Sequence, residues 1–125
     1  MIKVVIVDDS ILILDRLKVM LAEIPSVEVI GEAGDKDEAV KLILECKPDV
    51  AILDIRMPGG SGIEVLKIIK DKSPEIMVMM LTNYPYQQYR DKCKQEGCEY
   101  FFDKATEMRM LEDVLRNMAK GNVDN

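Results

Sequence analysis

The chain has 125 residues, 48% of them apolar and 32% charged, which suits one soluble globular domain with a real core. Its net charge is −6 and it has no dense Lys/Arg run, so nucleic-acid binding by this chain alone is not expected. It contains no histidine, which excludes histidine catalysis, histidine metal ligation and a phosphohistidine on the chain itself.

The chain opens as a strand. Ile2 to Val7 follows Met1 directly, with no charged segment, apolar stretch and cleavage site of a secretory leader. No apolar run approaches the ~18 residues of a membrane span, so a cytoplasmic protein without membrane association is expected. Ser10 to Ile24 reads as a helix. Leu14, Leu17, Leu21 and Ile24 share one face, Ser10 caps the start and Pro25 follows the end. Val27 to Ile30 is a second strand. Lys36 to Lys47 is a second helix, striped by Ala39, Val40, Ile43 and Leu44 and capped by Asp35.

Val50 to Leu53 is a third strand. After it, Gly59-Gly60-Ser61-Gly62 lacks the Gly-Lys-Ser/Thr ending of a phosphate-binding P-loop and reads as a turn plus helix cap. A helix over Ser61 to Lys72, with Ile63, Leu66 and Ile69, ends before Pro74. Ile76 to Leu81 is the fourth strand. Tyr86 to Glu96 is the weakest helix, with only Tyr86, Tyr89 and Cys93 on an apolar face and Gly97 to close it. Tyr100 to Phe102 is a short fifth strand. A final helix runs from Glu107 to Met118, with Thr106 as its cap. The domain is expected over residues 1–120, with a frayed tail at 121–125. Cys46, Cys93 and Cys98 match no metal spacing and read as reduced, inert thiols.

Strict alternation of strand and helix implies a doubly wound α/β fold, with a parallel sheet covered by helices on both faces. Right-handed crossovers narrow the topologies, and 2-1-3-4-5 is a common strand order. Polar residues then fall at the carboxyl ends of the strands, where such sheets bind ligands. Asp8 and Asp9 follow the first strand, Asp54 the third, Thr82 the fourth, and Lys104 the fifth. In this order the first and third strands are neighbours, so Asp8, Asp9 and Asp54 converge on one crevice flanked by Thr82 and Lys104. Three such carboxylates repel one another unless protonated or compensated by a cation. Oxygen donors without histidine or thiolate select a hard ion, and Mg²⁺ fits best. With Lys104 as a point charge and Thr82 as a hydroxyl donor, this is a phosphate site around a carboxylate nucleophile.

The runs Val7-Asp8-Asp9-Ser10, Asp49 to Gly59 (Asp-Val-Ala-Ile-Leu-Asp-Ile-Arg-Met-Pro-Gly), Leu81-Thr82 and Phe102-Asp103-Lys104 resemble the receiver domain of two-component response regulators. The resemblance covers essentially the whole chain. It implies a flavodoxin-like (βα)5 fold and a phosphorelay switch rather than an enzyme. Asp54 would accept the phosphoryl group from a sensor histidine kinase or a histidine phosphotransfer protein. Asp9 and Asp54 would ligate Mg²⁺, Asp8 would act largely through water, and the backbone carbonyl of Arg56 would be the third protein ligand; no organic cofactor is implied. Thr82 would reorient toward the phosphoryl oxygen, Lys104 would pair with it, and Phe101 would be the aromatic switch residue. The fourth helix, fifth strand and fifth helix would form the face that controls an output domain or partner protein, with room for a weak homodimer. Two positions depart from the pattern. Asn83, with Tyr84-Pro85, stands where a small residue is common, and slow loss of phosphate is expected. Ala105 follows Lys104 where proline is common, leaving the isomer of that bond open.

Three other readings compete. A partner-controlled module without phosphorylation would not need an intact acidic pocket. A hydrolase of the haloacid-dehalogenase type wants Asp-x-Asp, whereas Arg56 stands two residues after Asp54. A flavodoxin wants a Ser/Thr-rich phosphate loop after the first strand, and none is present.

Overall fold

The computed structural model describes residues 1–124, with side chains described through 121. Its main sheet has five parallel strands: β1 (Ile2–Val7), β2 (Val27–Ala33), β3 (Val50–Leu53), β4 (Met77–Thr82) and β5 (Tyr100–Asp103). Five helices alternate with them: α1 (Ile11–Ala22), α2 (Lys36–Cys46), α3 (Gly62–Lys72), α4 (Gln87–Gln95) and α5 (Met108–Asp124). The strand order is β2-β1-β3-β4-β5, the common order matched to the alternating pattern.

The sheet separates two apolar layers. Val5, Val7, Ala51, Leu53, Val78 and Met80 face α2, α3 and α4, where they meet Ala39, Ile43, Leu66, Ile69 and Cys93. Val4, Ile6, Ile52, Met79, Leu81 and Phe102 face α1 and α5, against Leu14, Leu17, Leu21, Leu111 and Leu115. Neighbouring residues of one strand thus serve opposite layers, which is why the central strands read as unbroken apolar runs. Burying one such Leu or Ile contributes roughly 1.5–3 kcal/mol.

The helix starts follow their capping residues. Ser10 Oγ accepts from Ile13 N–H, and Asp35 Oδ1 accepts from Glu38 N–H. Ser61 caps α3 in a full capping box: its Oγ takes the N–H groups of Ile63 and Glu64, and Glu64 Oε1 takes the N–H of Ser61. At α5 the expectation of Thr106 as cap is corrected. Glu107 is the residue whose carbonyl accepts the first helical bond, from Leu111 N–H, and its side chain reaches back to Asp103 N–H at 2.8 Å. α5 also runs past Met118 to Asp124; of the expected tail, the side chains of 122–124 and all of Asn125 lie outside the described residues.

Two further features were not expected. β2 continues three residues beyond Ile30, with a register shift opposite Val4/Val5. Between β3 and α3, Arg56–Met57 pairs with Gly60–Ser61 in a small antiparallel hairpin turned by Gly59 at φ +84°. No peptide bond among the described residues is cis, so Lys104–Ala105 is trans.

Candidate functional site: an acidic crevice at the sheet rim

Strand register assembles the site. Val7 pairs with Leu53, so the next residues, Asp8 and Asp54, emerge side by side, tied by Asp54 N–H to Val7 O at 3.1 Å. Thr82 pairs with Asp103, and Lys104 N–H reaches Thr82 O at 2.8 Å, which brings Lys104 to the same rim. The crevice between these strand ends is lined by Asp8, Asp9, Asp54 and Lys104, together with Arg56, Asn83, Tyr84 and Arg16 of α1.

Asp8, Asp54 and Lys104 are buried and Asp9 is exposed. One oxygen from each of the three carboxylates lies within 4.8 Å of the others. Lys104 Nζ bridges two of them, at 2.6 Å from Asp8 Oδ2 and 3.0 Å from Asp54 Oδ2. The other oxygens are held by backbone donors: Ser10 N–H reaches Asp8 Oδ1 at 2.9 Å, and Ile55 N–H reaches Asp54 Oδ1 at 2.7 Å. Burial raises the Asp8 carboxyl above its ordinary value, although the Lys104 and Ser10 hydrogen bonds pull it down. Burial also opposes the Lys104 charge, but Asp8 and Asp54 outweigh it and hold its pKa above the ordinary value. Acid and ammonium both keep their protons more tightly than usual, as expected where three carboxylates face one ammonium. A hard cation would relieve that excess, and three carboxylate oxygens within reach of one point are a fitting donor set for one.

Gly62 fixes the position of Asp54 from behind. A Cβ there would collide with the Asp54 carbonyl oxygen, so the first turn of α3 closes against the Asp54–Ile55 peptide only with glycine. Gly62 N–H seals the contact by bonding Ile55 O at 2.7 Å.

The structure brings Asp8, Asp9, Asp54, Lys104 and Arg56 to one crevice. Thr82 stands at the adjacent strand end but does not line it: it is fully buried, and its Oγ1 accepts Tyr84 N–H at 3.1 Å. Phe101 lies half-buried on β5 beside Met80, with the Arg90 guanidinium 4.6 Å from its ring centre. The thiols divide: Cys46 is exposed, Cys98 is intermediate, and Cys93 is buried, with burial pushing its pKa up to about 12. No described helix is long and apolar enough to cross a membrane.

The family model of the response regulator receiver domain matches residues 4–116. The response regulator GacA of Pseudomonas aeruginosa is 31% identical over 121 residues, spanning 97% of this chain and 56% of GacA. A protein-glutamate methylesterase/protein-glutamine glutaminase of Pyrococcus horikoshii is 39% identical over 79 residues, 63% of this chain and 22% of that protein. The crystal structure of the response regulator domain of Thermotoga maritima CheB superposes with a TM-score of 0.84 at 30% identity, covering 99% of this chain and 97% of that one. The chain belongs to the response regulator receiver domain family of two-component signalling, whose general mechanism is phosphorylation of an aspartate. It spans about 56% of GacA and a smaller share of the methylesterase.

Proposed function

We propose that Asp54 is the phosphoryl acceptor, taking the group from a sensor histidine kinase or a histidine phosphotransfer protein with Mg²⁺ as the companion cation. One observation carries this reading. Two buried carboxylates at neighbouring strand ends, Asp8 and Asp54, are each held by a backbone N–H and bridged to Lys104, and of the two Asp54 stands in the run Leu53-Asp54-Ile55-Arg56-Met57-Pro58-Gly59 that resembles the acceptor segment of the family.

In the transfer, an Asp54 oxygen forms the new O–P bond as the P–N bond to the donor histidine breaks, and the imidazole nitrogen keeps the bonding pair. Ile55 N–H fixes the carboxylate plane during the attack. Lys104 Nζ, already 3.0 Å from Asp54, moves onto the phosphoryl oxygens and offsets their charge. Thr82 turns its hydroxyl from Tyr84 N–H to the same group. Asp9 and Asp54 would hold Mg²⁺ directly, Asp8 through water, and the Arg56 carbonyl would be the third protein oxygen. The ion supplies charge neutralisation for the acids and the incoming phosphoryl group. Phe101 follows Thr82 inward, and the surface of α4, β5 and α5 passes the change to an output domain or partner protein. On this reading residues 1–120 act as a switch in the cytoplasm, not as an enzyme with its own substrate, and any self-association is weak.

Mass spectrometry after incubation with acetyl phosphate and Mg²⁺ tests the assignment. The wild type gains one phosphoryl group and Asp54→Ala gains none. Equal gain in both would overturn it.

A further inference from the structure

Of the nine residues of α4, only Cys93 is buried. Its N-cap residue, Tyr86, makes no side-chain capping bond. The first turn also rests on Tyr89, half-buried against the apolar layer, and on a surface cluster built around it. The guanidinium carbon of Arg56, two residues after Asp54, sits 3.8 Å from the centre of the Tyr84 ring. Arg56 Nη2 also donates to the Tyr89 hydroxyl at 3.4 Å. Tyr86 completes the cluster, with its ring centre 6.3 Å from Tyr84 and 5.8 Å from Tyr89. Tyr84 in turn gives its N–H to Thr82 Oγ1. An unbroken series of contacts therefore runs from Thr82 through Tyr84 and Arg56 to Tyr89 on α4.

We propose that the Arg56 side chain is a strap holding the first turn of α4 in its unphosphorylated position, released when Thr82 turns toward the phosphoryl group. The release half rests on the Asp54 reading; the holding half does not. When Thr82 rotates to carry its hydroxyl to a phosphoryl oxygen, Oγ1 moves out of reach of Tyr84 N–H, which must find another acceptor or reach water. Tyr84 then shifts, and its ring leaves the guanidinium. The stacking needs the planar fork of arginine, which lysine does not reproduce. A near-surface cation–π contact is weak enough to be exchanged in a switch, yet it matters where a helix has one buried anchor. This route enters α4 at its first turn. Phe101 meets the same turn from the β5 side, through Arg90, whose guanidinium lies 4.6 Å from its ring centre and 3.8 Å from Glu107.

Hydrogen exchange over Gln87–Gln95, on the metal-free unphosphorylated chain, tests the holding half. Arg56→Ala should raise exchange there by about threefold or more relative to β1 and β3, and Arg56→Lys should do nearly the same. Tyr89→Phe, which keeps the ring, should give a smaller rise. Unchanged exchange in Arg56→Ala overturns the strap. Beryllofluoride with Mg²⁺ tests release: it should raise α4 exchange in wild type and add little in Arg56→Ala. A full-sized further rise in the variant overturns the release half, as does wild type that gains phosphoryl mass without a change in α4. Failure of the Asp54 reading looks different: wild type then gains no phosphoryl mass, release falls with it, and the metal-free comparison still decides whether Arg56 holds the helix.

Discussion

Replacing Asp54 by Asn should make the metal-free protein more stable. The substitution removes a buried charge whose effective desolvation cost is several kcal/mol. It also relieves repulsion with Asp8, about 3.5 kcal/mol at the 4.8 Å limit of the cluster and an effective dielectric of about 20. Against these stands the lost attraction to Lys104, about 5.5 kcal/mol at 3.0 Å on the same scale. Lys104 keeps its 2.6 Å bond to Asp8, and an Asn Oδ1 can still accept Ile55 N–H. The balance favours the variant by on the order of 1–2 kcal/mol. Urea melts with a chelator present would show a higher midpoint and an unchanged slope. Mg²⁺ reverses the ranking: wild type gains about 2.7 kcal/mol at a hundredfold excess over Kd, and the variant gains little. A variant less stable than wild type in chelator, or stabilised equally by Mg²⁺, would refute the claim that uncompensated negative charge dominates this crevice.

Four further outcomes are expected. Gly62→Ala should cost about 3 kcal/mol and lower phosphoryl uptake, because the new methyl forces the Asp54 carbonyl outward; a melt matching wild type would contradict this. Iodoacetamide at pH 8 should label exposed Cys46 quickly and Cys93 only on unfolding, since a pKa of about 12 leaves roughly one thiolate in ten thousand; peptide mapping showing equal rates would refute it. Lys104 has a folded pKa above 10.5, so its stabilisation is complete below 10.5 and is lost as pH rises through the folded value. The melting temperature of metal-free wild type should therefore fall at alkaline pH by more than that of Lys104→Met. Asn83 borders the crivice mouth beside Tyr84, and Asn83→Ala should shed phosphate faster than wild type; slower loss, followed by the decay of the phosphorylated mass, would remove Asn83 as a barrier to water.

The sheet was legible because its information is local. Val-Ile runs too short for helices, separated by capped amphipathic stretches, leave few parallel arrangements, and strand order then carries Asp8, Asp54 and Lys104 to one rim. The contacts that escaped are those without a periodic signature. Arg56 and Tyr89 lie 33 residues apart and meet only because the fold sets the hairpin after β3 beside the first turn of α4. Gly62 stands within a glycine-rich turn, and nothing in its neighbours marks it as the glycine a peptide presses against. Glu107 displaced Thr106 as the cap because its side chain also satisfies Asp103 N–H, a reciprocal bond that residue type alone does not rank. Thr82 shows how far strand position reaches: it is placed correctly at the rim, while the rotation of its hydroxyl toward Tyr84 depends on the loop beyond it.

The backbone bond from Lys104 to Thr82 O, like that from Asp54 to Val7 O, makes the floor of the crevice a rigid jig. Chemistry on such a jig displaces side chains and overhanging loops and leaves the ladder beneath them in place. A surface that changes while its foundation stays still can be coupled to unrelated companions without re-engineering the interior, and new outputs need only learn to read one movable edge.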